Sequence, residues 1–325
     1  MRFAVDNWDP GYGSSTDDLD LDTSTARVTL DVELPHDQWE PVPPPATPAL
    51  PDAVVFVDGV RRIEAQLWLD ERDTSGVVTG VLPAVCGSYA AGAVCCCDSS
   101  AHVVQVLSRR GVFTTAAHAV PITTSAGTYE LHQTSADPTR SSAQVLSQAL
   151  QSRLAQLEVI AATDARRSRD GSCTSTDNDL LVIDGPLRER GALPRALGYI
   201  KSHQSTYLPP ELNVVVSTLR AGERTPVFRI GSRWDSHTWY LRLPTRPGSP
   251  WAGVVRVEAS ADLPSASVIN LANVSQAVLP RYASEEYKDN RAPQNLYPIA
   301  GLERDLKHRM GDQRLVYRAL RSAAQ

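Results

Sequence analysis

Residues 54–59 read Val-Val-Phe-Val-Asp-Gly, and the interpretation of the chain turns on them. A continuous apolar run closed by an acid describes a strand buried on both faces, with a carboxylate at its end. Asp58-Gly59 is a turn signal, and residues 61–69 then alternate strictly. Ile63, Ala65, Leu67 and Leu69 fall on one side; Arg62, Glu64, Gln66 and Trp68 fall on the other. The expectation is a hairpin leaving a buried strand. Further strand signals at residues 76–85 and 103–115 give three or four consecutive strands, expected to be antiparallel.

The period then changes. Leu146, Leu150, Leu154 and Leu157 share one face of a helix expected over residues 141–165, with Asp137-Pro138 as its start signal and the basic residues 166–169 at its C-terminal end. Leu-Leu-Val-Ile-Asp at 180–184 is a second buried strand, again ending in Asp-Gly. A short helix and a strand at 196–201 follow, with more strands at 227–230, 237–243 and 253–258. Near the end, Leu302, Leu306 and Met310 share a helix face, Gly311 breaks it and Asp312 caps a last helix.

The acids in this order carry the chemistry. Asp58 and Asp184 each end an apolar run, where a carboxylate without a partner is costly. Their mutual repulsion makes sense with a cation between them. Glu158 follows Leu157 on the long helix and leans toward the sheet rather than into water. Taken singly, each Asp is an ordinary turn former and Glu158 an ordinary solvated helix residue. Together they give the acid order of an RNase H-like α/β core, a mixed β-sheet flanked by helices. Hard oxygen ligands suit Mg²⁺ or Mn²⁺, and a two-metal site would activate water and stabilise the leaving oxygen of a phosphodiester.

FVDGVRR, LLVIDGPL, GYIKSHQSTYL and QNLYPIAGLERDLKHR together resemble segments of the NurA family, from about residue 54 to the C-terminus. The resemblance implies a nuclease processing DNA ends. It would be a homodimer with a DNA channel, docked on a HerA-like hexameric ATPase, and would serve end resection and repair or defence against phage. It places metal ligands at Asp58, Glu158 and Asp184, and a catalytic Lys at Lys201. Where the family has a His after its Tyr-Pro segment, gapless counting from Tyr297-Pro298 finds Asp305, with His308 three residues on. Asp305 is the favoured fourth ligand. A structure-selective endonuclease is the enzymatic alternative. A non-catalytic adaptor gripping DNA or the motor, its site degenerate, is the rival from another class.

Composition bounds these readings. The 325 residues, 42% of them hydrophobic, exclude a disordered chain, a collagen and a coiled coil. Residues 1–50 read as an acidic and Pro-rich extension, its Pro run a spacer or surface strap, before a nuclease domain at 51–325. A net charge of −5 requires any DNA contact to use a local basic patch. Only three residues are Lys (Lys201, Lys288 and Lys307), which makes Lys201 notable. Cys86, Cys95, Cys96, Cys97 and Cys173 lack C-x-x-C spacing and read as buried thiols of a reducing cytoplasm. The N-terminus does not read as a signal peptide, and the uncharged residues 74–97 read as strands with turns rather than a membrane span. No P-loop or nucleophile-elbow motif occurs. His203 is expected at the surface, His118 and His132 in strands. Trp234, Trp239 and Tyr240 are expected in the core or an interface, with stacking on single-stranded bases near Arg233 and Arg242 as the alternative.

Overall fold

The computed structural model describes residues 22–23, 26–72, 75–97, 100–167, 178–203, 205–231, 234–246, 249–285 and 287–324. Cys173, Arg233 and the acids at 17–20 lie outside them. In chain order the strands are β1 (Asp22–Thr23), β2 (Arg27–Thr29), β3 (Ala53–Arg72), β4 (Val78–Cys97), β5 (Ser100–Thr114), β6 (Ile122–Thr124), β7 (Gly127–Gln133), β8 (Asp179–Asp184), β9 (Ala196–Ile200), β10 (Ser205–Thr206), β11 (Phe228–Gly231), β12 (Ser236–Arg242) and β13 (Val254–Ser260). The α-helices are α1 (Ser142–Arg167), α2 (Pro210–Thr218), α3 (Ser265–Val278), α4 (Tyr297–Arg309) and α5 (Gln313–Ala323). The fold is mixed α/β, with mixed β-sheet flanked by helices, as the order of elements implies.

The chain forms two units: Met1–Phe56, Val94–His102 and Asp170–Ala300 in the first, and Val57–Ala93, Val103–Arg169 and Gly301–Gln325 in the second. The division falls inside β3, and the described part of the N-terminal segment belongs to the first unit.

In the second unit the strand order is β3-β4-β5-β7-β6, with β5 and β7 parallel and β6 and β7 antiparallel. The expected hairpin at Asp58-Gly59 is not there. One strand of 20 residues runs through it, so Asp58 sits within β3 rather than at its end. Beyond it the alternation holds for Ala65, Leu67 and Leu69, which pack toward Ala84, Cys86 and Val112. Ile63 is exposed, while Glu64 is buried and ion-paired to Arg62 at 2.8 Å. From Val78 onward the uncharged stretch is one strand, β4, without internal turns.

Alternation along β4 puts Val85, Tyr89 and Ala91 under α1, against Leu146, Leu150, Leu154 and Leu157. Ala84 and Cys86 face Val316 and Leu320 of α5. Burial of each of those helix leucines contributes about 1.5–3 kcal/mol. Ser141 and Gln144 start α1 with a reciprocal capping pair: Gln144 N–H donates to Ser141 Oγ at 3.3 Å, and Ser141 N–H to Gln144 Oε1 at 3.0 Å. Asp137 instead folds its own turn, accepting from the Thr139 N–H at 2.9 Å. Asp312 caps α5 by accepting from the Arg314 and Leu315 amides, as expected.

In the first unit the order is β2-β11-β12-β13-β9-β8, with β8 and β9 parallel and the remaining pairs antiparallel. Helices α2 and α3 carry no assignment from the sequence. Leu212 and Val216 of α2 pack with Phe228, Tyr240 and Trp39, which anchors the N-terminal segment in this core. Trp239 is fully buried and donates to Ser275 Oγ of α3 at 3.0 Å, the core role expected for it.

His203 is buried rather than on the surface, its Nε2 at 3.1 Å from the Val254 carbonyl and its ring against Tyr240 and Trp251. His132 lies in β7 as expected, whereas His118 sits in an exposed turn. Burial lowers the His203 imidazole to about 4. An unfolded imidazole titrates near 6.5, so as pH falls the unfolded chain takes up the proton first. This group's contribution is therefore intact above about pH 6.5 and lost progressively toward pH 4, by roughly 3 kcal/mol. Urea melts across that window should show the loss, and His203→Gln should flatten it. An unchanged slope in the variant would contradict the assignment.

Candidate active site

Asp58 and Glu158 meet at one peptide of β3. Asp58 Oδ1 accepts the Gly59 N–H at 2.7 Å. From α1, Glu158 reaches the same residue, and its Oε1 occupies the place where a Gly59 Cβ would stand. Leu154 Cδ1 is 2.7 Å from that place and Glu158 Cδ is 3.0 Å from it. Gly59 is thus required by close approach and not by a turn; its backbone has no positive φ. Both carboxylates are buried, Asp58 at 7% and Glu158 at 4% exposure.

Asp184 and Lys201 lie in the first unit. Asp184 is the last residue of β8, and Gly185 follows with a φ of +90°, the left-handed turn that its Asp-Gly sequence announces. The Gly185 N–H donates to the Tyr199 carbonyl at 2.8 Å, which fixes the turn on β9. Lys201 Nζ is 2.8 Å from Asp184 Oδ2 and donates to Asn295 Oδ1 at 3.0 Å. Asn295 in turn donates to Asp289 Oδ2 at 2.7 Å. The Tyr199 hydroxyl donates to the Gln294 carbonyl at 2.6 Å, holding the Asn295 segment against β9. Burial, with the Asp184 charge in addition, pushes the Tyr199 phenol well above its ordinary range, so it stays a neutral donor. Lys201 is thereby a fixed ammonium, about a tenth exposed.

Asp305 is placed differently. It is half-buried on α4 and accepts from Arg309 Nε at 2.8 Å, one turn along the same helix. His308 is exposed.

The first unit also holds a cleft of about 720 Å³ whose wall begins at Pro186, two residues after Asp184. Arg188, Arg229 and the exposed Trp234 contribute to it, and so does the buried Arg256–Glu258 pair. Glu258 Oε2 accepts the Leu187 N–H at 3.1 Å and ties the segment after Asp184 to β13. Arg256 lies over the Tyr207 ring, 4.9 Å from its centre. Single-residue reading of the sequence missed this cleft because its members are spread over residues 26–262 and meet only through the strand order.

No family model matches the sequence, and no curated protein sequence matches it. Among solved structures the chain is similar to the NurA nuclease from Sulfolobus solfataricus, with 11% identity over 87% of this chain and 88% of that one and a TM-score of 0.41. It is also similar to an endonuclease V from Bacillus subtilis, with 12% identity over 85% and 87% and a TM-score of 0.32. Both neighbours are nucleases by name. Likenesses this remote assign no role to any residue here.

The Gly59 contact gives a direct stability test. Gly59→Ala must displace the Glu158 carboxylate or Leu154, an overpacking that costs about 1–3 kcal/mol. Gly80→Ala, on β4 with nothing within 4 Å of its new methyl, should change stability by less than about 0.5 kcal/mol. Urea denaturation of the two variants measures the difference; equal, small effects would remove the close approach.

Proposed function

We propose that the protein is a metal-dependent nuclease that hydrolyses phosphodiester bonds at DNA ends. The observation that carries this reading is the pair of buried carboxylates, Asp58 and Glu158, brought to one glycine from a strand and a helix. Buried acids of this kind are stabilised by a hard divalent cation more readily than by any neutral neighbour. The donor set is all oxygen, which fits Mg²⁺ or Mn²⁺. Asp58, Glu158 and Asp184 would hold the ions, with Asp305 as a fourth ligand. When bound, a two-ion centre supplies charge neutralisation of the phosphodiester and a lowered pKa for the attacking water.

The chain's own residues do the rest. Lys201, fixed by Asp184 and Asn295, presents its ammonium to a phosphate oxygen and steadies the substrate. Gly59 keeps the strand backbone clear so that the Glu158 carboxylate can approach it. For Asp305 to serve, it must leave Arg309, and an exposed i,i+4 pair of that kind is worth only about 0.3–0.5 kcal/mol. The cleft beyond Asp184 would receive a single strand, with Trp234 as a stacking platform and Arg188 and Arg229 near its backbone. Because the whole chain is acidic, capture of duplex ends is weak without help. A HerA-like hexameric ATPase would deliver DNA to a homodimer of this chain, for end resection or for defence against phage.

Asp58→Asn, Glu158→Gln and Asp184→Asn should each lower cleavage of end-labelled DNA in Mn²⁺ or Mg²⁺ by orders of magnitude while the thermal melt is kept. Asp305→Ala should raise the metal concentration needed for half-maximal rate, and His308→Ala should leave it unchanged. Cleavage by Asp58→Asn at the wild-type rate would refute the reading. Trp234→Ala should weaken single-strand binding by about 1–3 kcal/mol without changing the rate at saturation. Fluorescence anisotropy with a labelled oligonucleotide checks this, and undiminished affinity would exclude Trp234 as a platform.

A further inference from the structure

Strands β4 and β5 are neighbours in the sheet, and they carry Cys95 and Cys97 near the end of one and His102 near the start of the other. Their ligand atoms, two Sγ and one imidazole nitrogen, all lie within 4.8 Å of one another. Both thiols are buried, and the imidazole is half-buried. The geometry follows from strand periodicity. Cys95 and Cys97 are two residues apart and project from the same face of β4. His102 reaches the two thiols from the neighbouring strand β5. Cys96, between the two, projects to the other face, where its thiol is hydrogen-bonded to the Tyr282 phenol. Cys86, Cys95, Cys96 and Cys97 are buried thiols, as expected. On a strand, C-x-C is the spacing that aligns two thiols.

We propose that Cys95, Cys97 and His102 form a zinc site that joins β4 to β5. Two thiolates and an imidazole are soft to borderline donors and favour Zn²⁺ over Mg²⁺ or Mn²⁺. The site is therefore chemically separate from the all-oxygen set at Gly59 and does not depend on that reading. Tetrahedral coordination with Zn–S bonds of about 2.3 Å places two sulfurs roughly 3.8 Å apart. The ligand atoms, all within 4.8 Å of one another, are close to that spacing. Binding releases the two thiol protons to solvent, so affinity falls as pH drops. Three protein ligands leave a fourth position for water. The metal would pin two long neighbouring strands to each other.

The test uses the full chain, purified in a non-thiol reductant without chelator and titrated with Co²⁺ as a spectroscopic stand-in for zinc. The wild type should develop thiolate-to-cobalt charge-transfer absorption in the near ultraviolet and the intense visible bands of a tetrahedral ion, with one equivalent of Zn²⁺ displacing both. Cys95→Ser and Cys97→Ser should each lose most of the charge-transfer intensity; Cys96→Ser and Cys86→Ser should keep it. Should either ligand-serine variant fail to fold, the histidine decides. His102→Ala should weaken Co²⁺ binding roughly tenfold or more, since loss of a direct ligand costs at least what loss of an outer-shell partner does, and His102→Cys should restore it. No charge-transfer band in the wild type, an equal loss in Cys96→Ser, or equal affinity in His102→Ala and His102→Cys would overturn the site.

Discussion

The Glu158 carboxylate stands where any side chain on Gly59 would have to be, and much of the second unit is arranged to keep it there. The contact needs α1 at a fixed height over β3, which Leu146, Leu150 and Leu154 provide by packing on β4. It also needs a strand that does not turn at Asp58-Gly59. The cost is two buried carboxylates on one peptide, an arrangement that hydrophobic packing alone would not favour. Packing in this unit positions charge instead of merely excluding water.

The first unit solves the same problem with cations of its own. Arg224 is fully buried and donates to both Glu33 carboxylate oxygens, at 2.6 and 2.8 Å, as well as to Gln276 and Asn273. That bidentate pair, together with Trp39 in the core, stitches the N-terminal segment to β11 and α3. Removing one partner alone would leave a buried charge, at a cost of about 3–5 kcal/mol. Lys201 does for Asp184 what Arg224 does for Glu33, at 2.8 Å and about a tenth exposed. Asp58 and Glu158, in the second unit, are buried acids that both approach Gly59.

Period decided how much of this was legible in the sequence. The leucine spacing of α1, the apolar run of β8 and the Asp312 cap each follow from local rules, and the structure carries all three. Asp-Gly was ambiguous because glycine has two uses. At Gly185 it makes the turn; at Gly59 it makes room, and nothing within residues 54–59 tells the two apart. Helix α3, Ser-Ala-Ser-Val-Ile-Asn-Leu-Ala-Asn-Val-Ser-Gln-Ala-Val, is rich in β-branched residues and gains its helical state from packing such as the Trp239–Ser275 bond. His203 looked exposed because its neighbours Lys201, Ser202 and Gln204 are polar, whereas Tyr240 and Trp251, which bury it, lie some 40–50 residues away. The cysteine cluster was hidden by a spacing rule that holds for loops and not for strands.

The central claim is that the carboxylates at Gly59 form a divalent-cation site. Electron paramagnetic resonance of free Mn²⁺, titrated with the wild-type chain and with Glu158→Gln, tests it without reference to any nucleic acid. The account predicts saturable depletion of the free-ion signal by the wild type and its loss or strong weakening in the variant. Equal depletion by both proteins, with both folded, would contradict it.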